Sequence, residues 1–294
     1  MKQTILGAIY LSLAASIWGG MYVVSKYVLD FIPPLTLVWL RFIIAFVVLY
    51  GILKLAEKKQ KKKVTIRKKD WLLFAWIGFI GYFISITCQF IGTKLSDAHT
   101  GSLVTSATPA CMVIFAALIL KEKLTARRLL STIIATIGVI IVIGWDIEIG
   151  SYFIGTIILV GAAITWALLS IYVKIASIQF SSLVITTYAI FFSLFFITPF
   201  MIWELQAASI GTVNTYVILG VLYLGIVSTA GAFFLWNKGL ELLDASIGSL
   251  FFFFQPIVGS LLGWLLLNET LNSNFFIGGI LIICSVLITT FEKK

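Results

Sequence analysis

Long apolar runs, broken at intervals by charges, prolines or Asn/Ser/Asp clusters, organise the chain from end to end. They outlast the ten-residue alternating strands of a membrane barrel and suit helices crossing a hydrocarbon layer about 30 Å thick. The breaks predict helices near Thr4–Leu29, Pro34–Leu55, Trp71–Thr93, Ala98–Ile119, Ala126–Gly144, Ser151–Ile175, Phe180–Trp203, Asn214–Trp236, Asp244–Leu267 and Asn272–Phe291. The first run follows Lys2 and contains the small residues Ala14, Ala15 and Ser16, like a secretory signal. Its apolar stretch is too long for a typical signal core, so it is expected to stay as a helix.

Composition removes the water-soluble alternatives. Of 294 residues, 61% are hydrophobic and 11% charged, against about 25% charged in soluble domains, and the mean hydropathy is +1.10. Too few polar side chains exist to coat a water-facing surface, which excludes a soluble enzyme and a disordered chain. The net charge of +9 is also no nucleic-acid footprint, because its location is that of a topology signal. Lys54, Lys58, Lys59, Lys61, Lys62, Lys63, Arg67, Lys68 and Lys69 lie between two apolar runs, and Lys121, Lys123, Arg127 and Arg128 between two others. Lys2, Lys174, Lys238, Lys293 and Lys294 fall on the same side, with Lys26 and Lys94 opposite. The positive-inside rule then puts both termini in the cytoplasm of a multi-pass protein of the cell membrane. Cys88, Cys111 and Cys284 all lie inside apolar runs and imply no disulfide framework.

The chain also repeats itself. A shift of about 147–148 residues overlays Gly7, Ala14, Ala15, Trp18 and Lys26 on Gly155, Ala162, Ala163, Trp166 and Lys174. It carries Gly78, Gly92, Leu95, Asp97, Ala98, Gly101, Ser102, Leu103, Pro109, Glu122 and Leu124 onto Gly225, Gly239, Leu242, Asp244, Ala245, Gly248, Ser249, Leu250, Pro256, Glu269 and Leu271. Leu or Ile matches arise by chance between apolar segments; Trp, Lys, Pro, Asp and Glu matches at a nearly constant offset arise by chance far less often. With an odd number of spans per half, the second half enters the membrane inverted, the arrangement of secondary transporters whose halves exchange roles. The expected fold is an all-α integral membrane protein of ten transmembrane helices. Residues 1–144 form the first five-helix repeat and residues 151–294 the inverted second.

The stretch Ala14-Ala15-Ser16-Ile17-Trp18-Gly19-Gly20 with Lys26, the Leu40-Arg41-Phe42 of the second helix and the two Asp-Ala…Gly-Ser-Leu…Pro…Glu segments resemble the EamA-type transporters of the drug/metabolite transporter superfamily. The resemblance spans nearly the whole chain, one unit per half. It implies a ten-helix inverted-repeat carrier of small metabolites, often moved outward. Helices one, three, four, six, eight and nine would line a central cavity, with five and ten peripheral. The second half departs from the pattern at Trp166-Ala167 and at Asn268-Glu269-Thr270.

Candidate chemistry follows from polar or bulky residues inside apolar runs. Pro109 and Pro256 read as mid-helix prolines that free the carbonyls of Thr105 and Phe252; they are hinge candidates, with a packing kink as the alternative. Trp18 and Trp166 lie mid-helix, away from the interfacial belts, and either line a substrate path or fill a crossing point. Trp236 reads as an ordinary belt residue. Tyr82, Ser85 and Gln89 share one face at i, i+3 and i+7, opposite Thr229. They line a cavity or bond between helices. Thr105 and Gln255, beside the prolines, complete the cavity candidates. Because the small polar segment with Thr105, Ser106 and Thr108 has Phe251-Phe252-Phe253-Phe254-Gln255 as its repeat partner, the cavity is expected to have one hydrogen-bonding and one apolar wall. Lys26 and Lys174, repeated at helix ends, are gate candidates. Arg41 is an intramembrane charge, hence a functional candidate, with snorkelling or pairing with Asp30 as alternatives.

No Walker-type loop, HExxH or Cys/His cluster appears, so no ATP motor, metal site or cofactor is expected. None of the twelve carboxylates falls in the middle third of a predicted helix, which disfavours an exporter of organic cations. The favoured expectation is a secondary transporter working by alternating access, an exporter of amino acids or similar amphipathic metabolites, not an enzyme. Its partners would be a small-molecule substrate and the lipid bilayer, with the oligomeric state open. A multidrug or organic-cation exporter, an intramembrane lipid-modifying enzyme and a membrane scaffold are the alternatives.

Overall fold

The structure is a computed structural model that describes residues 2–60, 65–105, 107–123, 125–143, 150–267 and 273–290. Every regular element among the described residues is helical. The first half contains α1 (Lys2–Leu29), α2 (Pro34–Gln60), α3 (Lys68–Ile77), a π-helical segment Gly78–Ser85, α4 (Ile86–Leu95), α5 (Ala98–Thr105), α6 (Thr108–Ile119) and α7 (Ala126–Ile143). The second contains α8 (Ser151–Ala176), α9 (Ser182–Ala207), α10 (Thr215–Leu222), a second π-helical segment Tyr223–Gly231 and α11 (Ala232–Leu242). It continues with α12 (Ala245–Gly248), a 3₁₀ segment Ser249–Phe253, α13 (Phe254–Leu267) and α14 (Ser273–Thr290).

Seven segments among the described residues are long and apolar enough to cross a bilayer: Gln3–Leu29, Pro34–Lys59, Lys68–Leu95, Ser151–Ala176, Ser182–Ala207, Thr215–Leu242 and Ala245–Leu266. Large apolar side chains stay on the outside of the bundle, Leu72, Phe195 and Tyr216 each more than 70% exposed. Lipid, not water, is the solvent that stabilises such a surface. The chain is a multi-pass membrane protein.

Four expected helices are less regular than the sequence pattern implied. The third and eighth runs each switch to π-helix in the middle, at stretches that overlap under the repeat shift. The fourth and ninth runs divide, and the prolines take a different place from the one predicted. Pro109 sits in the first turn of α6, just after the non-helical Ala107, and Pro256 is the third residue of α13, after the 3₁₀ segment. A first-turn residue has no intrahelical partner for its N–H, so proline costs little there. The carbonyl of Thr105 is not left bare either, because the Thr108 hydroxyl donates to it at 2.5 Å.

Packing between the halves is reciprocal. The first-half α1 packs on α11 and α13, and the second-half α8 packs on α4 and α6; α2 meets α9, and α7 meets α14. Both major crossings need glycine. A Cβ on Gly239 of α11 would lie 2.4 Å from Leu11 Cγ and 3.1 Å from the Gly7 carbonyl of α1, and one on Gly155 of α8 would lie 2.8 Å from the Gly92 carbonyl of α4. Small residues let backbones approach where no hydrophobic effect drives helices together. Elsewhere, the Glu204 carboxylate at the end of α9 accepts from the amides of Leu35 and Thr36 and so caps α2.

Candidate functional site

The two crossings place α1, α4 and α6 against α8, α11 and the 3₁₀ segment, and between them lies a small central cavity. Its polar wall comes from Ser85, Gln89, Thr105 and Thr108 of the first half, with Gln255 from the second. The apolar wall is Trp18, Met21, Trp166, Phe233 and Phe252. The cavity is closed down to about 10 Å³, room for one water-sized sphere.

Aromatic rings hold it shut. Trp18 meets Trp166 edge-on at 5.2 Å, leans on Trp236 at 5.3 Å and lies nearly parallel to Phe252 at 5.9 Å. Such pairs contribute roughly 0.5–1.5 kcal/mol beyond their buried area. The Trp18 indole donates to the Ser228 carbonyl in the second π-segment at 3.0 Å. A π-turn displaces carbonyls from the regular ladder, and an indole N–H is a suitable donor for one of them.

The polar wall is a chain of hydrogen bonds. Gln89 Nε2 donates to the Tyr22 hydroxyl at 2.6 Å, and that hydroxyl pairs with Thr105 Oγ1 at 2.7 Å. Thr105 Oγ1 lies 3.4 Å from Gln255 Oε1. Ser85 Oγ donates to the Ala162 carbonyl at 2.8 Å, tying the first π-segment to α8. Two buried polar atoms on residues lining this space have no hydrogen-bond partner among the described residues, the acceptor Gln89 Oε1 and the donor Trp166 Nε1. An unsatisfied buried polar group costs on the order of 1–3 kcal/mol, and such groups gather where a ligand completes the bonding.

Of the residues expected to line a cavity, Trp18, Ser85, Gln89, Thr105, Trp166 and Gln255 converge on it. Tyr82 and Thr229 do not. Tyr82 stands behind the wall, stacked on Phe233 at 4.7 Å and accepting from Asn237 Nδ2 at 3.1 Å. Thr229 accepts from Arg41 Nε at 2.7 Å. Of the four phenylalanines, Phe252 alone borders the cavity, consistent with the roughly 120° turn per residue of the 3₁₀ segment that carries it. Ser106 and Glu269 lie outside the described residues.

Trp236 corrects the belt reading. It is fully buried and donates to Ser170 Oγ at 3.4 Å, because α11 carries it into the bundle where the sequence places it near a helix end. Arg41 neither snorkels nor pairs with Asp30. It is fully buried, its Nη2 reaching Ser228 Oγ at 3.3 Å and its Nη1 reaching Met21 Sδ at 3.5 Å. Lys26 and Lys174 are helix caps. Lys26 Nζ donates to the carbonyls of Thr93, Lys94 and Ser96 around the end of α4, and Lys174 Nζ to those of Leu240 and Leu243 around the end of α11. The sequence reading missed Met21, Tyr22, Phe233 and Ser228. Tyr22 had a usable signal, since it lies one turn from Trp18 on the same face; Met21 and Phe233 look like any core residue. Among the described residues, no group of three His, Cys, Asp or Glu side chains could hold a metal ion.

A model of the EamA-like transporter family matches residues 5–144 and again 153–291. An uncharacterized transporter of Bacillus subtilis (strain 168), YetK, is 28% identical over 97% of this chain and 87% of its own length. A probable amino-acid metabolite efflux pump of Escherichia coli (strain K12) is 25% identical over 96% of this chain and 94% of its own. One solved crystal structure superposes with a TM-score of 0.72 at 20% identity, covering 97% of this chain and 96% of that one. This last likeness speaks to the fold alone.

Proposed function

The chain belongs to the EamA-like transporter family, and from that premise we propose that it is a secondary carrier exporting amino acids or similar amphipathic metabolites by alternating access. The observation that carries this reading is the closed central cavity, with one hydrogen-bonding wall, one aromatic wall and two unpaired polar atoms. Sites of this kind use a few polar groups to orient a ligand and apolar surface to hold it. A sugar would need hydroxyl partners all round; a molecule with one polar end and one apolar body suits two unlike walls. The efflux of amino-acid metabolites named for the Escherichia coli relative points the same way.

Ten spans in two inverted halves complete the proposal. Counting α5 with α6, and adding α7 and α14 to the seven long segments, gives five per half. The double family match and the reciprocal packing support this division. A two-fold framework lets each half take the other's conformation, closing one side as the other opens. In this reading the protein resides in the cell membrane with both termini cytoplasmic, because basic residues crowd one side. Single cysteines at Lys62 and Ser209, in a background without the native cysteines, should then label from opposite sides.

The test is transport by purified protein in liposomes, with radiolabelled amino acids and dipeptides, with and without a pH gradient. Gln89→Leu and Thr105→Val should each slow transport more than a Phe→Leu change outside the Phe251–Phe254 stretch. Movement of sugars or organic cations in place of amino acids would overturn the substrate class.

A further inference from the structure

Arg41 is a full positive charge with no anion beside it among the described residues. Its guanidinium is completely buried, and among the described residues no carboxylate hydrogen-bonds to it or pairs with it. Only the Nε contact, to Thr229 Oγ1, is a short hydrogen bond. The two terminal nitrogens reach a serine hydroxyl at long range and a thioether, which is a weak acceptor. Three aromatic faces supply the rest of the surroundings, Phe90 at 4.8 Å, Phe233 at 5.8 Å and Phe42 at 6.0 Å. Hydroxyls and ring faces lessen the cost of a buried cation without neutralising it. Arginine's paired terminal nitrogens fit a carboxylate in two parallel hydrogen bonds, and here those nitrogens are the poorly satisfied ones.

The guanidinium is also one side chain from the cavity. Met21 and Phe233 each touch Arg41 on one side and border the central cavity on the other. Methionine, with three rotatable bonds, is the side chain most able to swing away. The clamp and the cavity are further joined through Ser228, whose hydroxyl faces Arg41 while its carbonyl accepts the Trp18 indole. The Thr229 hydroxyl gives its proton to the Leu224 carbonyl at 2.6 Å, which leaves its lone pairs turned to Arg41. Arg41 is thereby held in place by Nε, with Nη1 and Nη2 left for a ligand.

We propose that Arg41 is the anion site of this carrier, binding the carboxylate of its substrate once Met21 withdraws. Gln89 Oε1 and Trp166 Nε1 engage the substrate's other polar groups. The proposal deepens the carrier reading and rests on it for the word substrate. The chemistry required is a small molecule with a free carboxylate, a hydrogen-bond donor for Gln89 and an apolar body for the aromatic wall.

The experiment measures binding apart from transport. Detergent-purified protein is heated with each free amino acid, its methyl ester and inorganic phosphate, and the unfolding temperature is read against ligand concentration. At least one free acid should stabilise the protein while its ester does not, and Arg41→Gln should abolish the effect. Arg41→Lys, which keeps the charge but loses the paired geometry, should weaken it at least tenfold. If Arg41→Gln does not fold, the acid-against-ester comparison and Arg41→Lys decide the matter. Equal stabilisation by acid and ester, stabilisation by phosphate in place of carboxylates, no stabilisation at all, or full binding in either variant would overturn the proposal. Liposome transport separates the two ideas. Neutral substrates carried without any carboxylate binding would leave the carrier reading and remove Arg41 from it. Carboxylate binding with nothing carried would do the reverse.

Discussion

Lys26 and Lys174 offer the sharpest separation between a structural and a moving role. Each ammonium closes the C-terminal end of a helix in its own half, where the last carbonyls have no intrahelical donor and the helix dipole is negative. Lys174 makes two such bonds, both 2.7 Å long. Charge-assisted bonds contribute roughly 1.5–3 kcal/mol each, offset by about 2 kcal/mol of frozen lysine rotamers and by hydration lost at a half-buried site. About 2 kcal/mol remains, the upper end for a cation at a helix C-terminus. Lys174→Met keeps the stem and deletes the ammonium, so it should lower the unfolding temperature by about 4 °C in a chain of this size. Lys26→Met should do the same, and because the two share no partner the double variant should lose about the sum. Thermal unfolding in detergent measures this, with liposome transport beside it. Unfolding temperatures within about 1 °C of the parent, together with abolished transport, would refute the cap and return both lysines to the gate role.

Three further outcomes follow from the geometry. Gly92→Ala and Gly239→Ala should each destabilise by about 1–3 kcal/mol through overpacking, whereas Gly51→Ala and Gly161→Ala, which meet nothing within 4 Å, should gain about 0.5–1 kcal/mol; paired melting curves check this. Pro109→Ala and Pro256→Ala should keep the unfolding temperature nearly unchanged, since a first-turn N–H has no intrahelical acceptor, yet slow liposome transport if the helix breaks are hinges; normal rates in both would make the prolines packing residues. Lys121 follows α6 with φ of +58° while the Glu122 amide reaches back to the Ala116 carbonyl, so Lys121→Gly should raise stability by about 1 kcal/mol at this left-handed position.

What was legible in the sequence was whatever stood out chemically from an apolar background. Glycine, lysine and proline at a nearly constant offset gave the framework, and the structure puts the first two at its helix crossings and caps. Trp18, Gln89, Thr105 and Gln255 were legible because polar or indole groups inside a span must face protein or a cavity. The apolar wall was not, since a phenylalanine lining a cavity and one filling a core carry the same pattern; Phe233 became distinguishable only through its position between Arg41 and the cavity. The π-segments were equally hidden. Their residues, Gly78–Ser85 and Tyr223–Gly231, keep the apolar character of the helices around them, and a shift of the backbone hydrogen bond by one residue leaves no mark in composition. Trp236 was misplaced because distance from a helix end along the chain says little about depth once neighbouring helices enclose that end.

The halves agree in framework and disagree in lining, and the two facts bear on one another. Under the repeat shift Gln89 corresponds to Trp236, Tyr22 to Ser170 and Thr105 to Phe252. The bonds correspond too: Gln89 donates to Tyr22 as Trp236 donates to Ser170. One geometry is thus filled by a polar chain in the first half and an aromatic one in the second. The glycine crossings and lysine caps, by contrast, carry the same residue in both. In the proposed alternating-access carrier the backbone crossings and helix ends need to be equivalent, because the same two packings must be available to each half. Its ligand contacts are under no such demand, since a single molecule at the centre meets both halves at once. Unlike walls give it one preferred orientation, which equivalent walls could not.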